Sequence, residues 1–338
     1  MQSARLIGLS SVQHFLVDGL CICCMFLLTG VYSELLGAYG DRVGMGAILL
    51  YNVLAFMSQP LTGILADRMK ARHWLLMASS LLLSLAVAAA ALIPALQASA
   101  LLENGLGEWL LIVVAVLLGA GNSLFHVWGG KQTVVQTGND IRALGVFVST
   151  GALGLAVGFV CCSWALLYGL LLAIVAVSIA YVRFDVSRSV EGAVRSEMSF
   201  FPPRFLTPER VWLIVVALML FVCYRSFTGE VFSKGITKSQ TLILTIGLVS
   251  MLGKMAGGWL AQRVGILRSL AVVLAGVALC ILFRGDSVMV LLLGIFLMNS
   301  TMPVTLYLAN EVLPCREGLA FGLLAAALIP GYLMAVYL

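Results

Sequence analysis

Charged residues are scarce in this sequence. Only 10% of its 338 residues are Asp, Glu, Lys or Arg, while 62% are hydrophobic and the mean hydropathy is +1.08. A typical soluble domain is about 25% charged and about half apolar. Because a soluble protein could not hide this much apolar surface from water, the composition excludes a soluble enzyme. It predicts an all-α polytopic membrane protein.

The sequence also lacks the motifs of catalysis. It contains no Gly-x-Ser-x-Gly, no His-Glu-x-x-His and no phosphate-cradling glycine loop, so we predict that the protein is not an enzyme. Most of its eight cysteines lie within apolar runs, where cysteine behaves as a small hydrophobe. The net charge of +5 is carried by loops that flank apolar runs, which predicts no nucleic-acid partner. We expect no cofactor and no bound metal.

Eleven apolar runs are long enough to cross a bilayer, which takes about 20 residues per helix. Residues 184–209 form the most polar connection, so we predict a cytoplasmic linker there, between a six-helix half (residues 1–183) and a five-helix half (residues 210–338). The eleven predicted spans cover residues 8–33, 44–66, 73–96, 107–130, 142–162, 164–183, 210–230, 239–261, 267–283, 287–309 and 317–337.

The distribution of Lys and Arg predicts the orientation of the chain. With the N-terminus inside, most of these residues fall in loops on the cytoplasmic side, as the positive-inside rule requires. We therefore expect a multi-pass protein of the cytoplasmic (inner) membrane with a cytoplasmic N-terminus. Its expected partners are the lipid bilayer and a small-molecule solute, and we expect a monomer.

A basic turn joins the second and third runs, over the ten residues from Gly63 to Arg72, and a weaker copy spans Gly258 to Arg263. Gly-x-Leu-Ala-Asp-Arg-x-Lys-x-Arg resembles the turn between helices 2 and 3 of the major facilitator superfamily of transporters. The resemblance implies two pseudo-symmetric helical halves around a central cavity lined by helices 1, 4, 7 and 10. The family has twelve helices, whereas eleven are predicted here.

Three stretches are most similar to the fosmidomycin-resistance efflux branch of that superfamily. They are the Ser-His-x-x-x-Asp-like pattern that ends at Asp18, the Gly-x-Gly-x-x-x-Phe-His pattern that ends at His126, and the turn from Tyr307 to Arg316. Val127 departs from the pattern, because that branch has proline after the histidine. The resemblance implies export of a small organic compound.

Ionisable residues within apolar runs are costly in lipid and therefore indicate function. His14 and Asp18 are four residues apart and share one helix face, as do Asn122 and His126. If helices 1 and 4 both line the cavity, His14, Asp18 and His126 can converge. A carboxylate beside an imidazole can take up and release a proton near neutral pH, which predicts proton coupling. Two alternatives remain open: the pair only pins helix 1, or the cluster binds a metal.

Several polar residues are candidates for solute binding. Arg225 lies in the middle of the seventh run, where its guanidinium could hold an anion, although Glu230 could instead neutralise it. Lys131 is either a second anion contact or a lysine that reaches the membrane interface. The remaining candidate solute-binding residues, which could donate hydrogen bonds, are Asn122, Asn299, Ser300 and Thr301.

Another charged set lies at predicted cytoplasmic ends of helices, where the resemblance implies that the two halves meet. We predict a gating latch that opens and closes during transport, formed by Asp67, Arg68, Arg72, Glu311 and Arg316.

The predicted function is proton-coupled secondary active transport of a small organic solute by alternating access. Intramembrane bases favour an anionic solute, and the resemblance favours efflux. Two alternatives remain: a proton symporter that imports an organic anion or a siderophore-like compound, and a non-transporting membrane scaffold or sensor.

Overall fold

The structure is a computed structural model. It describes residues 2–69, 73–95, 105–185, 200–202, 205–234, 236, 239–283 and 287–337, and this part of the chain is helical, with no β-strand. Ten helices are long and apolar enough to cross a membrane, and an eleventh apolar helix has 17 residues. Each predicted apolar run lies largely on one of these eleven helices, which confirms the expected all-α polytopic fold.

The helices are numbered here in chain order. They are α1 (Gln2–Leu36), α2 (Ala38–Arg68), α3 (Trp74–Leu92), α4 (Leu106–Thr137), α5 (Ile141–Val160), α6 (Trp164–Asp185), α7 (Pro208–Ser233), α8 (Gln240–Val264), α9 (Ile266–Leu282), α10 (Val288–Val312) and α11 (Glu317–Tyr337).

Three helices change their geometry partway along. α2 contains a π-helical turn at Val53–Met57, and α10 is interrupted at Thr301, just before Pro303. α11 is interrupted at Ala327, between its segments Glu317–Ala326 and Leu328–Tyr337. Proline and π-turns are the usual causes of such breaks. Each break lies beside a residue that lines the central cavity described below.

Two long helix pairs join the amino-terminal helices to the carboxy-terminal ones. α2 packs on α11, and α5 packs on α8. Glycines permit both contacts: a Cβ on Gly63 would overlap the carbonyl of Gly318, and a Cβ on Gly258 would lie 2.6 Å from the carbonyl oxygen of Ile141. Helices approach closely in membranes where small residues face each other. Gly63 and Gly258 occupy matching places in the two basic turns, so the contacts repeat the pseudo-symmetry of the sequence.

The predicted linker lies partly outside the described residues, which omit 186–199 and 203–204. Its last part packs against the carboxy-terminal end of α10. The backbone N–H groups of Phe200 and Phe201 both donate to Oε1 of Glu311, at 2.6 and 2.9 Å. Glu311 was predicted to be part of a latch between the halves, and the structure places it against the linker instead.

Candidate functional site

A cavity of about 170 Å³ lies between the amino-terminal helices (α1 to α6) and the carboxy-terminal helices (α7 to α11). Cavities of about 150 Å³ can hold a molecule the size of benzene. Most of its lining is apolar and includes Phe56 on α2 and Phe321 on α11. The polar lining residues are few, and they come from five helices: His14, Asp18, His126, Arg225, Lys254 and Thr305.

Three of these residues, His14, Asp18 and His126, form a cluster with Asn122 that is called here the Asp18 cluster. Asn122, a predicted solute contact, does not itself line the cavity. Oδ1 of Asp18 lies 2.9 Å from Nε2 of His126 and 3.2 Å from Nδ2 of Asn122. Oδ2 lies 3.3 Å from Nε2 of His14. All four side chains are at least nine-tenths buried. The structure thus brings together the three residues predicted for proton coupling, together with Asn122.

The second ring nitrogen of His14 fixes where a proton must lie. Nδ1 is 2.8 Å from the carbonyl oxygen of Phe147. A carbonyl can only accept a hydrogen bond, so Nδ1 carries a hydrogen. Nε2 then faces Oδ2 of Asp18 with a lone pair unless a second proton lies between them. A proton between these two atoms would join them, held either by the imidazole or by the carboxyl group.

Close packing of α5 on α1 explains why the cluster is compact. Gly151 of α5 faces Asp18 and His14, and any Cβ at this position would overlap both side chains. One turn further along, Gly154 lies against the backbone of Phe15. Small residues on α5 thus leave room for the carboxylate and the imidazole inside the protein rather than in lipid.

Two cations line the other side of the cavity. Arg225 of α7 is 8% exposed, and its guanidinium donates to Oγ1 of Thr305 at 3.4 Å. Lys254 of α8 is part-buried and lies within electrostatic range of both Arg225 and Asp18. Neither cation forms an ion pair with an acid within the described part of the chain. Buried charges are normally paired, so these two cations leave positive charge facing the cavity.

A metal ion is the other occupant that the Asp18 cluster could take. The ligand atoms of His14, Asp18 and His126 lie within 4.8 Å of one another. Arg225 and Lys254 line the same cavity, however, and their positive charges repel a metal cation. The cluster is therefore better suited to a proton than to a divalent metal.

A second cluster lies where α2 meets α11. Oδ1 and Oδ2 of Asp67 accept hydrogen bonds from the backbone N–H groups of Gly318 and Leu319, both at 2.9 Å. Lys131 of α4 lies 3.4 Å from Oδ1 of Asp67 and donates to the carbonyl of Ala66 at 2.7 Å. The first N–H groups of a helix have no partners within the helix, so Asp67 caps α11 from across the interface. These residues are called the Asp67 cluster below.

Another contact between the halves lies at the turn before α5. Nδ2 of Asn139 donates to the carbonyl of Tyr307 on α10 at 3.1 Å. The neighbouring Asp140 caps its own helix, accepting a hydrogen bond from the backbone N–H of Arg142 at 2.8 Å. Burial raises the pKa of Asp140, but hydrogen bonds from Arg142 lower it by more, so the net pKa is below the usual aspartate value. Asp140 is therefore ionised at neutral pH.

The structure places several predicted solute-binding residues away from the cavity. The Asn299 amide donates to the carbonyl of Ile295, and the hydroxyls of Ser300 and Thr301 donate to carbonyls of their own helix. None of the three lines the cavity. Lys131 lies in the Asp67 cluster. On α10 it is Thr305, after the break, that reaches the cavity.

The predicted latch is only partly assembled. Asp67 makes the contact with α11, whereas Arg68 and Arg316 are exposed and form no ion pair within the described ranges. Arg72 lies outside the described residues. The contact that joins the halves here is thus between a carboxylate and backbone N–H groups, rather than between two charged side chains.

Lys254 is the cavity residue that the sequence analysis missed. Its signal was present, since a lysine in an apolar run is costly. What the sequence could not supply was the direction of its side chain, because lipid-facing and protein-facing positions of α8 are both apolar.

Comparisons with known proteins extend these observations. The sequence profile of the Major Facilitator Superfamily matches residues 15–334. No curated protein sequence matches the chain significantly. Among solved structures, the E. coli fucose:proton symporter is 14% identical, with a TM-score of 0.66, over 99% of this chain and 90% of that one.

Two further structures are similar. The human organic anion transporter TETRAN is 14% identical with a TM-score of 0.66, over 99% of this chain and 94% of that one. A bacterial homologue of the iron transporter ferroportin, in its outward-facing state, is 14% identical with a TM-score of 0.59, over 98% of this chain and 90% of that one. At these identities the likenesses show the fold alone. The profile match covers most of the sequence, and the chain therefore belongs to the major facilitator superfamily of membrane transporters.

Proposed function

We propose that this protein is a proton-coupled secondary active transporter of a small organic anion, working by alternating access. The observation that carries the proposal is the composition of the cavity. The cavity is lined by a histidine–carboxylate cluster that can hold a proton and by two cations without an acid partner in the described residues. A proton site and an anion site in one cavity are the parts that such a carrier needs.

The lining also indicates which kind of solute fits. Apart from the charged groups, only Thr305 offers a hydroxyl, while Phe56 and Phe321 offer aromatic surface. A sugar would require many hydrogen-bonding partners, since unsatisfied polar groups are costly to bury. An acid with an apolar body needs only the cations and the apolar wall. Of the functions named for the similar structures, organic anion transport therefore fits this cavity better than fucose transport.

The Asp67 cluster has a role in this proposal as a gate. Alternating access requires contacts between the halves that form in one state and break in the other. Asp67 binds α11 by hydrogen bonds rather than through an apolar interface, so opening exchanges these bonds for bonds with water. We predict that the protein lies in an inner membrane with its N-terminus in the cytoplasm. In that orientation this gate closes the cytoplasmic side of the cavity.

Efflux in exchange for protons and import together with protons use the same parts. The resemblance to an efflux branch favours efflux in exchange for protons. The charges that line the cavity also bear on whether the solute and the proton move in the same or in opposite directions. A non-transporting scaffold is disfavoured, because a scaffold gains nothing from two cavity cations that lack an acidic partner in the described ranges.

The test is transport by the purified protein in liposomes, with aromatic carboxylates, phosphonates and sulfonates as candidate solutes. We expect Asp18→Asn to abolish accumulation driven by a pH gradient while solute exchange persists. Arg225→Ala should weaken binding of acids on the order of tenfold or more, because hydrogen bonds to charged groups contribute about 1.5–3 kcal/mol, and should leave neutral analogues unaffected. The matched control is Arg268→Gln, which removes an exposed positive charge on α9.

Uphill transport at the normal rate by Asp18→Asn would remove proton coupling from the proposal. Equal weakening of acids and neutral analogues by Arg225→Ala would show that Arg225 only supports the structure.

A further inference from the structure

The charges that face the cavity can be counted. Arg225 and Lys254 contribute two positive charges. The Asp18 cluster is neutral when the proton lies between His14 and Asp18, and it carries one negative charge when that proton leaves. The cavity therefore has a net charge of plus two in the protonated state and plus one in the deprotonated state.

From this balance we infer that the solute carries two negative charges on a small apolar body and crosses the membrane in the same direction as a proton. The inference rests on the proposed function and names the solute class and the sense of coupling. A divalent anion neutralises the cavity only when the Asp18 cluster holds its proton. Loss of the proton adds a negative charge within the same small cavity and repels the anion.

Thermodynamic linkage makes the effect reciprocal. If the proton strengthens binding of the anion, the anion strengthens binding of the proton by the same factor. A carrier whose two ligands favour each other moves them together, whereas exchange requires that each displaces the other. The charge signs in this cavity therefore favour symport over the proton-driven exchange that efflux requires.

Other titratable groups near the cluster do not reverse the direction in which protonation changes the affinity for the anion. In water, cysteine and tyrosine ionise only above about pH 8, and protonation of His126 adds positive charge, which also favours an anion. The faces of α5, α10 and α11 present Gly151, Thr305 and Phe321, which do not titrate. The titratable and charged groups around Asp18 are His14 and Cys21 on α1, Tyr51 on α2, His126 on α4, Arg225 on α7 and Lys254 on α8.

Lys254 has a separate role in this inference, as the residue that sets the solute charge. Arg225 has a neutral hydrogen-bonding partner in Thr305 and can hold one anionic group in two-point fashion. The ammonium of Lys254 is a point charge for the second. Without Lys254 the protonated cavity would balance a monoanion.

The experiment measures binding to the purified protein by calorimetry, with three probes that share a benzene ring and differ in charge: benzene disulfonate, benzenesulfonate and neutral benzenesulfonamide. The charges of the two sulfonates are constant between about pH 5 and about pH 8, the interval in which histidine charge changes, so any pH dependence belongs to the protein. We expect the affinity for the disulfonate to rise on the order of tenfold towards the acidic end, within the range of about 5- to 150-fold typical of coupled sites.

Two variants assign this effect. Asp18→Asn should bind the disulfonate with an affinity that varies little with pH and stays near the acidic value of the wild type, because its cluster is neutral throughout. Lys254→Gln should lose the preference for disulfonate over benzenesulfonate while it still prefers both to the sulfonamide. Arg268→Gln, on the exposed face of α9, is the control that should retain all wild-type values.

A transport measurement gives the same answer independently, even if a variant fails to fold. Benzene disulfonate added outside wild-type proteoliposomes should make the external medium more alkaline, as protons enter with it.

External acidification, or an affinity that falls towards low pH, would overturn cotransport and leave the anion site standing. Equal affinities for the two sulfonates would overturn the two-charge solute. If neither sulfonate bound more tightly than benzenesulfonamide, the anion site itself, and with it the proposed function, would fail.

Discussion

The carboxylate of Asp67, at the end of α2, caps the first turn of α11 by accepting a hydrogen bond from the backbone N–H of Gly318 at 2.9 Å. Arg316, the residue at the N-cap position of α11, makes no capping hydrogen bond with its side chain. α5, the pseudo-symmetric counterpart of α11, is capped by its own Asp140. The end of α11 therefore depends on a residue from the other half of the molecule.

Asp67→Ala should open this contact. It removes both acceptors and the partner of Lys131, so the first N–H groups of α11 must turn to water. A capping residue is worth about 1 kcal/mol, and loss of the negative charge beside the helix N-terminus adds to this. We expect hydrogen–deuterium exchange of peptides that contain Gly318 and Leu319 to accelerate on the order of tenfold, with solute affinity less affected.

The control for that prediction is Asp41→Asn, which changes an exposed acid near the other end of α2. It should leave exchange in α11 unchanged. Unaltered protection of Gly318 and Leu319 in Asp67→Ala would mean that the cap does not hold the halves together.

Lys131→Gln separates two interpretations of this lysine. The sequence suggested a contact with the solute, and the structure pairs Lys131 with Asp67, at 3.4 Å. If it supports the gate, the substitution should accelerate hydrogen exchange at the start of α11, because it removes the cation that holds the capping carboxylate of Asp67 in place. The Lys131 and Asp67 side chains are only 18% and 11% exposed, so their pair is screened less by water than a surface ion pair. Affinity for a sulfonate probe, measured by calorimetry, should equal the wild-type value. A clear loss of affinity with unchanged exchange would instead make Lys131 a solute ligand.

Gly63→Ala tests the close approach of α2 and α11. The added Cβ would overlap the carbonyl of Gly318, so the helices must separate. Overpacking of this kind costs about 1–3 kcal/mol. We expect a lower thermal unfolding temperature in detergent and faster hydrogen exchange at the start of α11. Gly46→Ala, on the same helix with no neighbouring atom within 4 Å, should change neither. Equal behaviour of the two variants would refute the contact.

The sequence predicted the fold well because each span leaves a strong and local signal. An apolar run long enough to cross a bilayer must be helical there, since no other open structure satisfies its backbone in lipid. The Asp18 cluster was also predictable, because His14 and Asp18 share a helix face and the resemblance placed α1 beside α4. Charged and polar residues in spans are rare enough for each to be informative.

Side-chain direction was less predictable. In a soluble helix the apolar face points inward, but in these helices lipid and protein interior both favour apolar residues, so the periodicity is weak. Asn299 and Thr305 illustrate the result. Both are polar residues of α10, and the break at Thr301 lies between them. In the structure Thr305 lines the cavity, whereas Asn299, a predicted solute contact, does not.

Gly151→Ala tests the Asp18 cluster without removing any ionisable group. The new Cβ would overlap Oδ2 of Asp18 and Nε2 of His14, so α5 must move away or the two side chains must separate. Either response disrupts the geometry in which these two atoms share a proton. We expect pH-driven uptake in proteoliposomes to fall on the order of tenfold or more, because hydrogen bonds weaken steeply as their geometry worsens and these two atoms are already 3.3 Å apart. Exchange of solute without a pH gradient should persist.

The matched control is Gly169→Ala on α6, where an added Cβ meets no atom within 4 Å. It should transport at the wild-type rate, because alanine is an ordinary helix residue and this position is exposed. A second substitution, Gly151→Ser, adds bulk and a hydroxyl that could bond the carboxylate, so it should also lose proton-driven uptake. If both Gly151 variants retained it with normal stability, the shared proton between His14 and Asp18 would not drive transport.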